Sequence, residues 1–384
     1  MEGQLVGREP ELTALAELVE DAETGRGRVA LITGEAGIGK TSLTEAVEAM
    51  VRELRFGVAW GRCSSAEMPS YWPWTQVLNS LLGAAELLEP GRFASRPELF
   101  AGVAEAIEMT TRDRAELVIL EDAHWADPGS LDLLEFLAGM VAGQRLLLLI
   151  TARDSSEILA GIAGVRRIPL SGLDLEATSA IVRRIVAAEP SREYIAEVHR
   201  RSGGNPFFSI EVSRLQASRG TPTGAVPVGV RQVLEYRLAR LHQESVDLLQ
   251  VASVVGAPDV GRLASVTGLA EAEVVALLDE PAAAGVVVAG TFAHELMRET
   301  LYLGMSPNRR ATLHRRVAEH LQAEGPAELA RHWFLASGVD ARPRAARLAV
   351  VAGDMAAAGL AYEQAVGHYR ICLLYTSPSP RDRS

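Results

Sequence analysis

The residues best suited to chemistry form one glycine-rich segment, Gly34 to Thr41, with the sequence GEAGIGKT. It fits the pattern G-x-x-x-x-G-K-[S/T], in which glycines let the backbone wrap a phosphate with its N–H groups. The lysine reaches the outer phosphates, the Thr41 hydroxyl binds Mg²⁺, and the start of the following helix adds positive potential. This P-loop segment predicts a nucleoside triphosphate site, formed by Gly34, Glu35, Ala36, Gly37, Ile38, Gly39, Lys40, Thr41 and Ser42.

Lys40 is the only lysine in the 384 residues, and every other one of the 38 basic positions is arginine. The chain is strongly biased toward arginine, yet it has its one lysine at this position. This indicates that the position requires the compact ammonium group of lysine, which the wide, planar guanidinium of arginine does not replace. The alternative interpretation is a glycine-rich turn before an ordinary helix. The lone lysine favours the phosphate site.

Two acids follow an apolar run later in the chain. Leu117 to Leu120 is wholly apolar and is followed by Glu121 and Asp122. A nucleotide site also needs groups that hold Mg²⁺ and orient a water molecule, and adjacent acids are able to divide that work. Residue order leaves open which acid faces the metal. The alternative is an acid pair that only forms a turn or caps a helix.

Arg153 lies just beyond the apolar strand predicted at Leu146 to Ile150. Ligands of open α/β sheets bind at the carboxyl edge, so this arginine is placed to reach a γ-phosphate. A solvated surface arginine is the alternative. His124 is a further candidate for phosphate sensing, and a histidine hydrogen-bonded within its loop fits the sequence equally well. The predicted catalytic residues are Lys40, Glu121, Asp122 and Arg153.

The elements that must position these residues are typical of a parallel α/β domain. An apolar strand leads into the P-loop, which opens onto a helix over Thr41 to Arg55, and a second strand follows. The aromatic residues Tyr71, Trp72 and Trp74 are expected to anchor an inserted helix on the sheet rather than to stack on a ligand. The predicted strands are Arg28 to Thr33, Phe56 to Arg62, Leu117 to Leu120, Leu146 to Ile150 and Arg167 to Leu170.

After Leu173 the pattern becomes mainly helical. Short helices followed by an alternating segment at Gly285 to Thr291 have the order of a winged helix, and later helix pairs have the length of tetratricopeptide-like repeats. The fold class is therefore α/β, a P-loop NTPase with a parallel sheet, followed by helical domains. The predicted domains are a P-loop ATPase core over 1–173, a helical lid over 174–220, a winged helix over 225–303, the start of tetratricopeptide-like repeats over 307–373 and a foreign or disordered tail over 374–384.

Composition narrows the class of protein. The 48% hydrophobic and 23% charged content is typical of a globular protein. The longest apolar runs are much shorter than a membrane span, and no signal peptide follows Met1, so we expect a cytoplasmic protein without a membrane partner. The net charge of −11 argues against non-specific nucleic-acid binding by the whole chain. Cys63 and Cys372 lack partners at the spacing of a disulfide framework or a zinc site.

A family resemblance rests on five motifs in a fixed order. Together they resemble the signal-transduction ATPases with numerous domains (STAND), in particular the large LuxR-type (LAL) bacterial transcriptional regulators, whose ATPase core is also grouped with origin-recognition-like AAA modules. The resemblance covers roughly residues 4 to 370. The motifs are VGRE at Val6 to Glu9, GEAGIGKT, LVILEDAHWADP at Leu117 to Pro128, TARD at Thr151 to Asp154 and GGNPFF at Gly203 to Phe208.

The resemblance implies cofactors and roles. ATP or ADP and Mg²⁺ are the implied cofactors, with Gly34 to Thr41 as Walker A and Glu121 with Asp122 as the Walker B pair. Arg153 becomes the sensor arginine. The implied metal ligands are Thr41, Glu121 and Asp122.

The resemblance also implies contacts from outside the P-loop. It places Pro206 and the segment Val6 to Arg8 against the adenine. It implies that His294, in the segment Phe292 to Tyr302, approaches the nucleotide phosphates in an ADP-bound state. A core histidine between a helix and the wing is the alternative for His294.

The implied function is an ATP-dependent switch in which nucleotide exchange or slow hydrolysis controls conformation. An inducer or a protein partner is expected to bind the helical repeats. DNA is expected to bind only a helix-turn-helix domain, which this sequence lacks. Nucleotide-dependent oligomers are compatible with the family. One alternative is an origin-recognition-like AAA ATPase that acts on DNA. Another is the ATPase module of a cyclase or kinase hybrid; the ATPase motifs begin near Met1, which favours the regulator.

Overall fold

The structure of the protein is a computed structural model. Its contacts divide the chain into two compact units, Met1–Ser209 with Met355–Ala365, and Ile210–Asp354 with Val366–Ser384. The structure describes residues 5–64, 68–153, 158, 160–162, 164–186, 189–217, 234–235, 237–321 and 325–376.

The first unit contains a five-stranded sheet and the helices around it. The strands are β1 (Arg28–Thr33), β2 (Gly57–Arg62), β3 (Glu116–Glu121), β4 (Leu146–Ala152) and β5 (Arg166–Pro169). The α-helices are α1 (Glu9–Glu23), α2 (Lys40–Glu53), α3 (Trp72–Leu82), α4 (Arg96–Asp113), α5 (Pro128–Ala138), α6 (Leu175–Ile185), α7 (Arg192–Ser202) and α8 (Pro206–Ala217), the last of which continues into the second unit.

All five strands are parallel, in the order β2-β3-β4-β1-β5. Because β4 pairs with both β1 and β3, the carboxyl ends of these three strands lie side by side at one edge. Every residue of β4 is buried, as expected for a central strand made of a continuous apolar run. The predicted parallel α/β architecture is confirmed, and its carboxyl edge brings the P-loop, the acid pair and the residue after β4 together.

The core of this unit packs α1 and α2 against the sheet. Fully buried residues include Leu15 of α1, Leu43 of α2 and Leu117 of β3. The aromatic anchor predicted near α3 is also present, since Tyr71 and Trp74 are 1% and 0% exposed. The indole N–H of Trp74 donates to the carbonyl of Ser130, 3.0 Å away, which attaches α3 to α5. These aromatic residues are structural.

The second unit is mainly helical. Helices and then a short antiparallel hairpin, β6 (Val287–Val288) with β7 (Thr291–Phe292), follow each other in the predicted order. Its winged-helix interpretation stays a prediction. Residues 218–233, where the predicted lid and the predicted winged helix adjoin, and the end of the predicted tail, 377–384, lie outside the described residues. The helices are α9 (Gln243–Val255), α10 (Val260–Thr267), α11 (Glu271–Ala283), α12 (Glu295–Gly304), α13 (Pro307–His320), α14 (Pro326–Leu335), and α15 (Ala341–Ala358) and α16 (Tyr362–Thr376), which both units share.

Helices α13 and α14 follow each other in sequence and pack together, as the repeat-like pattern predicts. A small apolar cluster around Trp333 of α14 joins this pair to the start of α15 through Ala341 and Ala345. In the part of the chain that the structure describes, no helix is long and apolar enough to cross a membrane.

Candidate functional site

The P-loop connects the end of β1 to the first turn of α2. Gly37 and Gly39 adopt left-handed backbone angles, with φ of +79° and +104°. Such angles favour glycine, because a side chain in this region clashes with its own backbone. At Gly37 a Cβ would also lie 2.8 Å from Cβ of Phe207, whereas at Gly39 no atom lies within 4 Å. The backbone angle therefore favours glycine at both positions, and close packing against Phe207 also favours it at Gly37.

Lys40 is the first residue of α2, and its side chain turns back into the loop. The ammonium Nζ donates to the carbonyl oxygens of Gly34 and Glu35, at 2.8 and 3.0 Å. Lys40 is only 8% exposed. The single lysine of the chain therefore holds its positive charge inside the predicted phosphate cradle.

Thr41 and Glu121 meet across the edge of the sheet. The Thr41 hydroxyl donates to Oε1 of Glu121 at 2.7 Å, and Nε of Arg62 lies 3.3 Å from Oε2. The Glu121 side chain is 14% exposed. Burial raises the pKa of Glu121, while the Thr41 hydrogen bond and the Arg62 charge oppose that rise. This carboxylate is thus the acid that faces the P-loop helix.

Asp122 points into different surroundings from its neighbour. It has a left-handed backbone, with φ of +54°, and its N–H donates to the hydroxyl of Thr151 at 2.9 Å. Its carboxylate lies 3.9 Å from Nδ1 of His124 and the side chain is 41% exposed. The left-handed turn therefore separates the two acids. Glu121 faces Thr41, and Asp122 lies beside His124 and is more exposed to solvent.

Arg153 follows directly after β4, the strand between β1 and β3. Its guanidinium carbon lies 5.5 Å from the ring centroid of Trp125, a cation–π arrangement. The ring of His124 lies 5.1 Å from the same indole. The sheet order thus brings Arg153 and the loop after β3 together at the edge where β1 ends.

Arg8 forms part of the outer wall of the P-loop. It is 4% exposed, and its guanidinium Nη2 donates to the carbonyls of Ile38 and Ser171 at 3.0 and 2.7 Å. Val6, two residues earlier, is partly buried. The N-terminal segment predicted to approach the nucleotide is therefore attached to the loop itself.

The turn before α8 forms another part of this wall. The Asn205 amide Nδ2 donates to the carbonyl of Ala36 at 3.0 Å, and the backbone N–H of Phe207 donates to the carbonyl of Gly37 at 3.3 Å. Pro206 lies between these two contacting residues, at the first position of the helix. Sequence reasoning assigned only Pro206 in this turn and missed its two neighbours, although both belong to the GGNPFF motif. It also missed Arg62, whose contact with Glu121 no motif predicts.

His294 lies in the second unit, immediately before α12. Its Nδ1 accepts a hydrogen bond from the N–H of Leu296 at 3.1 Å, so the side chain caps the start of that helix. The described contact is thus local to its own unit. The approach of His294 to a nucleotide stays a prediction.

Cys63 follows β2 close to the acids but is a poor nucleophile. Burial, followed by the charges of nearby acids, raises the pKa of its thiol to about 12. Neither Cys63 nor Cys372 forms a disulfide. We therefore assign the cysteines no part in the chemistry of this edge.

Sequence comparison supports the P-loop interpretation. Residues 4–150 match the family model described as AAA ATPase domain. A curated relative, an uncharacterised protein of Rhizobium meliloti, is 26% identical, and the match covers 91% of this chain and 42% of that protein. This chain therefore spans about two fifths of the length of that relative.

A solved structure from another organism shows a shared fold. A Signal Transduction ATPase with Numerous Domains (STAND) protein with a tetratricopeptide repeat sensor from Pyrococcus horikoshii has a TM-score of 0.61 at 18% identity, covering 98% of this chain and 59% of that chain. The ORC1 protein of Aeropyrum pernix in complex with DNA has a TM-score of 0.43 at 14% identity, covering 77% and 92%. Residues 4–150 are an ATPase domain of the AAA type, and the chain has a P-loop, AAA-like fold with a helical C-terminal region.

Proposed function

We propose that this chain is an ATP-binding switch of the STAND type, in which nucleotide exchange or slow Mg²⁺-dependent hydrolysis of ATP to ADP and phosphate controls conformation. The observation that carries the proposal is the contact of the turn before α8 with the P-loop. Asn205 binds the carbonyl of Ala36, and Phe207 packs at Gly37. Because this turn contacts the loop directly, a change in loop conformation is transmitted to the start of α8.

The residues present fit ATP and Mg²⁺. Gly37 and Gly39 give the loop left-handed backbone angles, and a Cβ built at Gly39 would meet no protein atom within 4 Å, which leaves room there for a phosphate. Lys40 supplies a buried ammonium group, and Thr41 with Glu121 supplies a hydroxyl and a carboxylate 2.7 Å apart, the hard oxygen donors that Mg²⁺ prefers. When bound, Mg²⁺-ATP supplies the phosphoanhydride bond and the divalent charge.

The position of each site residue indicates its role in binding and hydrolysing the nucleotide. Lys40 neutralises phosphate charge, and Thr41 with Glu121 holds the metal. Asp122, turned away and more exposed, orients a water molecule and accepts its proton. Arg153 neutralises charge at the outer phosphate from the strand between β1 and β3.

The proposal extends to residues outside this edge. In this proposal Val6, Arg8 and Pro206 lie against the adenine, and the bonds of Arg8 and of the Pro206 turn to the P-loop backbone support that role. His294 belongs to the proposed winged-helix domain and approaches the nucleotide phosphates in the ADP-bound state.

The wider role rests on the motif resemblance. In it, the chain is the regulatory part of a cytoplasmic LuxR-type transcriptional regulator. The helical repeats receive an inducer or a protein partner, a separate C-terminal domain binds DNA, and the nucleotide state controls oligomerisation. The repeat sensor in the name of the Pyrococcus horikoshii protein supports a sensing role for the helical region.

Hydrogen–deuterium exchange of the full chain tests the switch. Exchange at the start of α8 should differ between the ATP-bound and ADP-bound states, and Asn205→Ala should reduce that difference, since it removes a hydrogen bond of about 1 kcal/mol. Arg200→Ala is the matched control: this exposed arginine of α7 pairs with Glu197 on its own helix. Identical exchange in the two nucleotide states would contradict the switch. Hydrolysis stimulated by DNA would instead indicate the AAA ATPase that acts on DNA.

A further inference from the structure

A buried pair of histidines joins α13 to α14 in the second unit. Nδ1 of His314 lies 2.8 Å from Nδ1 of His332, and the two residues are 1% and 0% exposed. Two ring nitrogens at this distance share one proton, since one must donate and the other must accept. The contact therefore depends on how many protons the pair carries.

The neighbours of the pair determine the direction of that hydrogen bond. Nε2 of His332 lies 3.7 Å from Oε1 of Glu328, so a proton on Nε2 faces a carboxylate. His332 then accepts at Nδ1 from His314, and Nε2 of His314 accepts from the hydroxyl of Tyr302 at 2.9 Å. The hydrogen bonds run in one direction, from Tyr302 to His314 and from His314 to His332, with both imidazoles neutral.

The charges around the pair oppose an additional proton. Arg310 of α13 stacks over Tyr302 and acts on His314, and Arg331 of α14 acts on both histidines. Glu328 is the acid that faces His332, but its carboxylate already binds Arg262 of α10 at 2.7 Å.

Burial is the largest cause of the resulting pKa shifts. Together with the charges of His332, Arg331 and Arg310, it lowers the pKa of His314 to about 3. Burial lowers the pKa of His332 as well. The pair is therefore neutral in the packed state near neutral pH.

Protonation would weaken the contact at either nitrogen that lacks hydrogen. A proton on Nδ1 of His332 would set two donors against each other at 2.8 Å inside the buried contact between the helices, and a proton on Nε2 of His314 would require the Tyr302 hydroxyl to accept instead of donate. In both cases the pair holds a buried charge, so the rings must separate or reach water. The residues that hold this network lie on four helices, α10, α12, α13 and α14.

We propose that His314 and His332 form a proton-sensitive joint, which holds α13 against α14 while both imidazoles are neutral and opens when the pair takes up a proton. Proton uptake is then a second signal, besides the nucleotide, that changes the conformation of the helical region. It is independent of the nucleotide site, so its failure would leave the proposed ATPase switch intact.

The sign of the pH effect follows from the lowered pKa. The open state binds protons with the ordinary histidine pKa of about 6.5, and the closed state binds them more weakly. The stability of the joint is therefore fully present above about pH 6.5 and is lost as the pH falls toward 3. For one proton, opening should become about 30-fold more favourable between pH 7.5 and pH 5.0.

Hydrogen–deuterium exchange of the full chain at these two pH values tests the joint. Protection factors in α14, corrected for intrinsic exchange, should fall by up to about 30-fold at pH 5.0. His314→Gln should reduce this dependence to the share of His332, because glutamine can donate and accept but takes up no proton. His320→Gln is the matched control, since His320 is an exposed histidine of the same helix. A pH-independent wild type, or an equal fall in His314→Gln, would overturn the joint.

A second measurement serves if His314→Gln does not fold. Nitrogen chemical shifts of the imidazoles in the wild-type chain report the protonation of each ring. At pH 7.5 both His314 and His332 should be neutral, with hydrogen on Nδ1 of His314 and on Nε2 of His332. An imidazolium signal from either residue at pH 7.5 would overturn the proposal.

Discussion

The hydroxyl of Thr41 donates a 2.7 Å hydrogen bond to the carboxylate of Glu121, although the two residues are 80 positions apart. The bond connects the first turn of α2 to the end of β3, across a sheet in which β4 separates β1 from β3. Asp122 adopts a left-handed backbone and turns its side chain elsewhere. The sheet thus gives the two adjacent acids different partners.

This difference predicts how the acids divide the work. Glu121→Gln should weaken Mg²⁺ binding in the presence of ATP by about 10-fold, because a ligand to the metal loses its charge. Asp122→Asn should leave Mg²⁺ affinity within about twofold and slow hydrolysis, because it removes the group that orients water. Calorimetric Mg²⁺ titration and a phosphate-release assay measure the two effects. The reverse pattern would assign the metal to Asp122.

The packing of Phe207 on the P-loop predicts different effects at two glycines. Gly37→Ala and Gly39→Ala both place a side chain at a positive φ and should cost about 1 kcal/mol each through backbone strain. Gly37→Ala should cost more, since its Cβ meets Phe207 at 2.8 Å, whereas Gly39→Ala meets no atom within 4 Å. Chemical denaturation of both variants measures the difference. Equal stabilities would show that the Phe207 contact does not constrain the loop.

Burial of Glu121 predicts that this residue destabilises the folded protein. Because its pKa is raised on folding, the folded state holds the proton more tightly, and stability is lost as the pH rises through the folded pKa. In EDTA, Glu121→Gln should therefore raise the melting temperature at pH 7.5 and have less effect near pH 4. Glu193→Gln is the control, and it should lower the melting temperature at pH 7.5, because hydrogen bonds lower the pKa of Glu193 in the folded protein. An unchanged or lowered melting temperature for Glu121→Gln at pH 7.5 would contradict this account.

Much of the site is predictable from sequence because its signals are local. The loop from Gly34 to Thr41 is a contiguous motif, and the strand that ends at Glu121 is a continuous apolar run. The parallel sheet then brings strand ends to a common edge, so Arg153 is correctly expected at that edge.

The remaining features depend on backbone geometry and on distant contacts. The separate orientations of Glu121 and Asp122 follow from one left-handed residue, which the order of the acids does not specify. Asn205 contacts Ala36 from 169 positions away, and no local pattern predicts that bond. His314 and His332 resemble ordinary helical residues in the sequence, and only the packing of α13 on α14 shows that they share a proton.

The measurement that tests the central claim most directly is calorimetric titration of ATP and Mg²⁺ into the wild-type chain and into Lys40→Ala. The wild type should bind ATP. Lys40→Ala should bind about 100-fold more weakly with unchanged circular dichroism, since a buried charged hydrogen-bond donor is lost from the cradle. Arg52→Ala, which removes an exposed positive charge from the same helix, should retain wild-type affinity. ATP affinity of Lys40→Ala equal to that of the wild type would contradict a nucleotide site at this loop.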